Sequence, residues 1–530
     1  MKLKSLIWGA CVLSVLASGT LAHAKPHKHG IKRVLLISVD GMHAVDLETL
    51  VSNSSSTMAS LASNGVRFTN AFTPRPSDSF PGLMALITGG SPASTGIWYD
   101  VSFNHVLFPP GSSCAGSPGT VVAYDETLDI DLTKLSGGGT PGFDGSSVNV
   151  ANLPLQKSGS SCTPVFPHNY LLVNTIFEVV KNKKKTLTAW SDKHPGAYEI
   201  VNGPSGTDVD EFWSPEINSQ PPAALDPPNP TTGGAYTDTL AAVEFFDGLK
   251  VKAILNEIDG LDPTGKTTRG VPTLFGMNFQ TVSVGQKLPS DATGLGLPGY
   301  ADSVGTPNPG LLQALNFVDK SIGSMVAELQ NKGLLERTLV VITAKHGQSP
   351  IDINRLVRIP ADNGGMSPAT ILGSEIAASG DGAIEDDASL MWLADPSKAA
   401  ADAAILSGFP NASSVAGIGQ VFSGQQLQLL WGNSNPAAAG RIPDLFVQPN
   451  YGTVYTGKKK KIAEHGGSTN DDRDVALIVY NPGFSSAILS GEVTTMQVAP
   501  TILSALKLDP SELQAVQIEG TQALPGLPFW

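Results

Sequence analysis

Several residues able to do chemistry stand where an apolar run stops. Asp40 follows Arg33-Val-Leu-Leu-Ile-Ser-Val39, and Lys345 and His346 follow Thr338-Leu-Val-Val-Ile-Thr343 after one alanine. Asp192 and His194 follow Lys185-Thr-Leu-Thr-Ala-Trp190, and His465 lies in the loop Glu464-His-Gly-Gly467 shortly before Val475-Ala-Leu-Ile-Val-Tyr480. Carboxylates and imidazoles brought to one place can hold a metal ion or move protons. The hydroxyl that could act with them is Ser79, in Thr73-Pro-Arg-Pro-Ser-Asp-Ser-Phe-Pro-Gly-Leu-Met-Ala-Leu-Ile-Thr-Gly-Gly90. Pro74 and Pro76 keep the approach extended. Ser79 is expected as the N-cap of a helix carrying Leu83, Leu86 and Ile87, which Gly89 and Gly90 end. A helix N-terminus presents free N–H groups and a positive dipole end, which suits an anion bound beside that hydroxyl. A serine there also serves as a simple cap, so its meaning depends on the company it keeps.

Nearly continuous apolar runs such as 33–39, 338–343 and 475–480 read as buried strands, and ligands bind at the C-terminal edge of such sheets. Further strands are expected at 66–72, 185–190, 272–279, 388–393 and 443–447. Helices are expected at 57–62, 170–181, 236–254, 309–332, 397–406 and 497–506. The alternation defines an α/β class with a largely parallel central sheet. Residues 101–168 are dominated by Gly, Ser, Pro and Asp and read as a loop insertion with little regular structure. A second insertion spans about 350–440. Asp192, His194 and Asn202, the last in Asn202-Gly-Pro-Ser-Gly206, form a second polar cluster: either substrate-pocket residues or a Gly/Pro turn among solvated acids.

The 530 residues, with 56 Gly and 39 Pro, suit one large catalytic domain with long ordered loops. A net charge of −13 argues against a nucleic-acid surface, which needs basic stripes. The one basic run, Lys458 to Lys461, is short. Lys2 and Lys4, the apolar Leu6–Leu16 and Ala22-His-Ala24 form a secretory signal pattern, leaving residues 25–530 as a single exported domain, secreted or periplasmic. The apolar part is too short and interrupted for a membrane span, and no later stretch offers one. Removing it takes Cys11 and leaves Cys114 and Cys162. An even pair in an oxidising compartment is expected as a disulfide, with two reactive thiols as the alternative.

The ordered set Val39-Asp-Gly-Met42, Ser79-Phe-Pro81 within an Ile-Thr-Gly-Gly-ended helix, Gly96-Ile97, Tyr99-Asp100, Lys345-His-Gly347 and His465-Gly466 resembles the type I phosphodiesterases and nucleotide pyrophosphatases of the alkaline phosphatase superfamily. Gln497-Val-Ala-Pro-Thr-Ile-Leu503 fits their terminal helix, so the likeness runs over about residues 33–508. It implies an alkaline-phosphatase-like three-layer sandwich with long loop insertions. It implies hydrolysis of a small-molecule phosphate ester or nucleotide, diesters over monoesters, with Ser79 as nucleophile. It also implies that Asp40, Ser79, His346 and His465 are metal ligands, zinc being the metal such nitrogen and oxygen donors suit.

The chain departs from the family in the metal site. Lys345 stands where an aspartate is usual. The Asp-x-x-Gly-His element should fall near Asn278-Phe-Gln-Thr-Val-Ser-Val-Gly-Gln286 and has neither its Asp nor its His. The asparagine that helps hold a phosphoryl oxygen is also missing. Asp40, His346 and His465 are half of the usual non-nucleophile ligands, enough with Ser79 for one ion rather than two. Lys345 then reads as a catalytic substitute for the second cation, or as the partner of a nearby acid in an inactive site. The alternative to a hydrolase is a catalytically impaired, non-enzymatic binding protein that keeps the fold. A sulfatase is disfavoured, because its activated residue needs a Cys/Ser-x-Pro-x-Arg context and Ser79-Phe-Pro-Gly-Leu83 lacks the arginine. Intact mass of the exported protein should place its start near Lys25 and show Cys114 and Cys162 oxidised; two free thiols would refute the pairing.

Overall fold

The computed structural model describes residues 30–128, 148–194, 199–215, 217, 235–360, 365–432, 434–456 and 461–529. The signal pattern, residues 129–147 of the first insertion and Lys458–Lys460 lie outside them. At its centre, Arg33–Val39 runs between Thr338–Thr343 and Leu274–Phe279, parallel to both. Its residues are apolar on both faces because both faces are covered. Val34 and Leu36 point into one core with the helices Ser79–Thr88, Ile176–Lys184 and Val498–Ala505. Leu35, Ile37 and Val39 point into the other, with Ala44–Ser52, Thr57–Asn64, Leu240–Ile258 and Pro309–Asn331. The result is three layers around a mixed, mostly parallel sheet of seven strands.

Asp474–Tyr480 is the exception to parallel order, pairing antiparallel with Thr338–Thr343 on one side and Val66–Phe72 on the other. Its reversal has a consequence for the site. Asp40, Gln280 and Lys345 follow strands that end at one edge, and the segment leading to Ser79 leaves Val66–Phe72 at that same edge. The loop before Asp474 must start there too, which brings His465 in from the opposite chain direction. Ser191 bridges Met277 in parallel and places Asp192 on the same side.

The register is tied at this edge by backbone bonds. Asp40 N–H donates to Phe279 O at 2.9 Å and Gly41 N–H to His346 O at 3.1 Å. Gly466 N–H donates to Ser77 O at 2.8 Å, and Ser77 N–H to Gly467 O at 2.9 Å. Ser349 and Glu464 exchange two bonds of 2.7 and 2.9 Å. Three loops far apart in sequence are thus bonded to one another directly.

The periodic segments shift at their ends. The 170–181 helix splits into Pro167–Tyr170 and Ile176–Lys184, because Thr175 caps the second from Glu178 N–H. The 236–254 helix becomes Leu240–Ile258 behind a Thr239 cap. Of 185–190, only Ala189–Trp190 is strand, since Lys185 is the left-handed C-cap of the preceding helix. Residues 101–168 hold more order than their composition suggests. Val101–Asn104 pairs with Thr120–Ala123, Leu155–Ser158 pairs with Ser161–Pro164, and a Cys114–Cys162 disulfide ties the region. Within the 350–440 region and just beyond it, a four-stranded sheet forms in the order Ala383–Glu385, Ser389–Met391, Leu445–Pro449, Ile418–Ser423, with apolar clusters of its own. No helix among the described residues is long and apolar enough to cross a membrane.

Helix Ser79–Thr88 is wholly buried and packs its first turn on the Lys345 backbone. A Cβ on Gly82 would lie 2.0 Å from Lys345 O, so only glycine permits this approach. Gly82→Ala should therefore destabilise the fold by about 1–3 kcal/mol, the scale of core overpacking. Denaturant midpoints check it, and an unchanged midpoint would show that the helix is free to shift.

Candidate active site

The cap of this helix differs from the sequence expectation. Asp78, not Ser79, is the N-cap: its Oδ2 accepts from Phe80 N–H at 3.2 Å, and Ser79 is the first helical residue. Asp78 is extended at φ −124°, so the following hydroxyl is carried over the sheet edge. There Ser79 Oγ lies 3.2 Å from His346 Nε2. His346 Nδ1 lies 2.8 Å from Gly347 O, a pure acceptor, so Nδ1 carries the proton and Nε2 accepts from Ser79. Burial, then the adjacent His465, holds the His346 imidazole well below the usual histidine range. The ring is thus neutral at pH 7 and able to take a proton. The two imidazoles lie 4.0 Å apart by ring centroid. His465 Nδ1 faces Asp78 Oδ1 at 3.0 Å, and Tyr99 Oη reaches His465 O at 3.1 Å and Asp386 Oδ2 at 2.9 Å.

Asp40 is the hub behind them. Its Oδ2 receives Gln280 Nε2 at 2.5 Å and Asn278 Nδ2 at 3.2 Å, and lies 3.2 Å from Lys345 Nζ. His346 Nε2 is 3.8 Å from the same oxygen. Burial would raise this carboxyl, but its neighbours, Lys345 above all, then His346, Lys193 and the Asn278 amide, outweigh it and hold it well below the usual carboxylate range. Gln280 is fixed in turn by Asp247, whose Oδ2 accepts the N–H groups of Gln280 and Thr281, each at 2.8 Å. Asp247 is itself paired with the buried Lys250 at 2.9 Å. Gln286 joins a network behind the site, donating to Gly41 O at 2.8 Å and Asp46 Oδ2 at 3.0 Å.

In front of these groups is a cavity of about 400 Å³. Asp40, Ser79, His346 and His465 line it together with Lys193, Lys287 and Lys461. The other sequence candidates fall elsewhere. Lys345 is buried behind Asp40 and is not among the residues lining the cavity; with Asp40 Oδ2 3.2 Å and Asp192 Oδ1 3.9 Å away, it is a counter-ion of acids. Asp192 accepts from Trp190 Nε1 at 2.8 Å. His194 is buried outside the cavity wall. Asn202 accepts from Val209 N–H at 2.9 Å, which makes it a turn residue and not part of the pocket. The residues missed by sequence reasoning are Asp78, Gln280, Lys287 and the Asp247–Lys250 pair. The i, i+3 spacing of Asp247 and Lys250 is visible in the sequence; their burial is not.

The architecture is that of the alkaline phosphatase superfamily. The chain belongs to the type I phosphodiesterase/nucleotide pyrophosphatase family, whose sequence pattern matches residues 34–139 and 283–471. It is similar in fold to the alkaline phosphatase PafA, at 12% identity and a TM-score of 0.59, covering 91% of this chain and 96% of that one. It is also similar to murine ectonucleotide pyrophosphatase/phosphodiesterase 5, and to an inactive form of that protein in complex with AMP. Each of these two matches has 13% identity and a TM-score of 0.53, covering 90% of this chain and 96% of the other. No curated protein matches the chain.

Members of this family are typically metal-dependent, and the donors present here do not fit a metal centre. Among the described residues no three His, Cys, Asp or Glu side chains are grouped to hold an ion. Asp40 Oδ2 is already taken by two amides and an ammonium, and His465 Nδ1 is turned to Asp78. Asp40, Ser79, His346 and His465, the set expected from the sequence, do line one cavity, with Asp40 Oδ1 buried and without a hydrogen-bond partner among the described residues.

Asp40→Asn removes the carboxylate from a buried pair and leaves Lys345 uncompensated, which should cost about 3–5 kcal/mol at pH 7. The folded-state affinity of Asp40 for protons is lowered. Its contribution is thus present above the unfolded value near 3.9 and is lost as pH falls toward the folded one. Urea titrations should show a constant gap between wild type and variant from pH 8 to pH 5, shrinking only below about pH 4. A gap that closes near neutrality would contradict the pairing.

Proposed function

We propose that this protein is an exported phosphoester hydrolase, preferring diesters and nucleotide pyrophosphate bonds, with Ser79 as nucleophile and His346 as its base. The family supports a phosphodiesterase/pyrophosphatase-like hydrolase, and the Cys114–Cys162 disulfide is in keeping with an oxidising compartment. The observation that carries the finer reading is the 3.2 Å contact between Ser79 Oγ and His346 Nε2 at the cavity floor.

In the first step Ser79 Oγ attacks phosphorus in line with the leaving oxygen, and its proton moves to His346 Nε2. The P–O bond to the leaving group breaks, and that oxygen takes the proton from His346. A phosphoryl- or nucleotidyl-serine remains. Water then attacks phosphorus from the vacated side and gives a proton to His346, which returns it to Ser79 Oγ as the P–Oγ bond breaks. The net change is addition of one water across one phosphoester bond. Asp78 orients His465 beside the reacting hydroxyl, and Asp40 with its donors holds the strand ends in register. No step is routed through a metal.

Bis(p-nitrophenyl) phosphate should be hydrolysed faster than p-nitrophenyl phosphate. Ser79→Ala should lower turnover by at least about 10³-fold, and His346→Gln by about 10²–10⁴-fold. Both variants should bind inorganic phosphate. Undiminished turnover in Ser79→Ala overturns the nucleophile. A folded wild-type protein inert toward both esters leaves the reading of a binding protein.

A further inference from the structure

The positions that would hold metal ions in the family carry amides and an ammonium here, yet phosphoryl transfer still requires positive charge at the reacting oxygens. That charge is on the cavity wall. Lys287, with a side chain 16% exposed, lies 3.5 Å from Glu464 Oε2, and Lys461 Nζ lies 2.5 Å from Glu464 Oε1. One carboxylate thus serves two lysines on the cavity wall. Lys193 approaches from the other side, 5.6 Å above the ring of Phe80, the residue after the nucleophile.

The same wall carries the acids Asp40, Asp100, Asp238 and Asp386. Asp40 has Lys345 as its counter-ion. Asp238 accepts from Ala235 N–H at 2.9 Å in its own turn. Asp100 and Asp386 are pushed up, first by burial and then by neighbouring acids, Asp386 to about 7. Lys193, Lys287 and Lys461 line the same cavity as Ser79, His346 and His465.

We propose that the cavity binds the reacting phosphoryl group without a metal ion, through Lys193, Lys287 and Lys461. The site has exchanged two divalent cations for three ammonium groups, with Glu464 holding two of them in place. Lys345 is the positioning residue of this arrangement. It pairs with Asp40 Oδ2 and offsets the charge of that carboxylate beside the cavity. Part of the inference rests on the hydrolase reading, since the bound anion is taken to be the reacting group; the binding itself does not.

The test uses the exported chain, dialysed against a strong chelator and checked by elemental analysis, with inorganic phosphate titrated in a calorimeter. Phosphate should bind with the same Kd before and after stripping, and added Zn²⁺ should not tighten it. Lys193→Met and Lys287→Met should each weaken binding by roughly 10-fold or more, the scale of one charge-assisted contact. Lys287→Arg, which keeps the charge, should bind within a few-fold of wild type, and thermal melts confirm that each variant is folded. Phosphate binding lost on stripping and restored by Zn²⁺ overturns the inference, as do methionine variants that bind like wild type. Turnover on the same samples separates the two readings. Lysine-dependent binding without turnover keeps this inference and sinks the hydrolase. Turnover with metal-restored, lysine-independent binding keeps the hydrolase and sinks this inference.

Discussion

One buried carboxylate organises the site. Asp40 Oδ2 collects two amides and an ammonium from two segments other than its own. A charge taken out of water is tolerated only when it is paired and fully hydrogen-bonded. The need to satisfy this oxygen therefore constrains where the ends of three strands may lie. Their parallel register sets the coarse position, and the bonds from Asp40 N–H to Phe279 O and from Gly41 N–H to His346 O set the fine one.

The catalytic groups inherit their geometry from this hub. His346 is held between Asp40 and Ser79, and Ser79 is held by a helix whose first turn rests on the Lys345 backbone through Gly82. His465 is set by the Gly466 and Gly467 bonds to Ser77, beside the Asp78 cap. Ser79, His346 and His465 come from three loops, yet each is bonded to another loop within one or two residues. Such backbone ties are rigid, which a phosphoryl site needs if its charge is to be in place before reaction. The family's metal centre performs the same organising task with ions. Here Lys345, Gln280 and Asn278 hold Asp40, and Lys193, Lys287 and Lys461 line the cavity wall.

Much of this was legible in the sequence. The strands at 33–39 and 338–343 appear there at their observed bounds, because a fully buried strand leaves an unbroken apolar run with a polar residue at its end. The order of motifs identified the family, which the match over 34–139 and 283–471 bears out. The Cys114–Cys162 pairing was accessible from an even count. Less legible were the ends of elements. Ser79 looked like the cap because it is a good capping residue, but Asp78 is one as well, and only the backbone decides between adjacent candidates. The antiparallel sense of 474–480 was also hidden, since buried parallel and antiparallel strands share the same pattern. In the sheet near 350–440 the buried strands at 388–393 and 443–447 were legible, while Ala383–Glu385 and Ile418–Ser423 went unread because they are short or largely exposed.

The sequence by itself determined that this is an α/β chain of the phosphodiesterase family, with a serine, two histidines and an aspartate at sheet edges and with the aspartate and histidine of the usual metal site replaced. Those are statements about residue type and order, and they survive without coordinates. Tertiary structure alone decided what the replacements do. Lys345 turned out to bind Asp40 and sit behind the cavity, while Lys193, Lys287 and Lys461 face into it. Asn202 belongs to a turn, and Gln286 to a buried network. A lysine's charge is the same wherever it stands in the sequence. Its role depends on which carboxylate lies within about 4 Å and on whether water reaches it, and both depend on contacts between segments hundreds of residues apart.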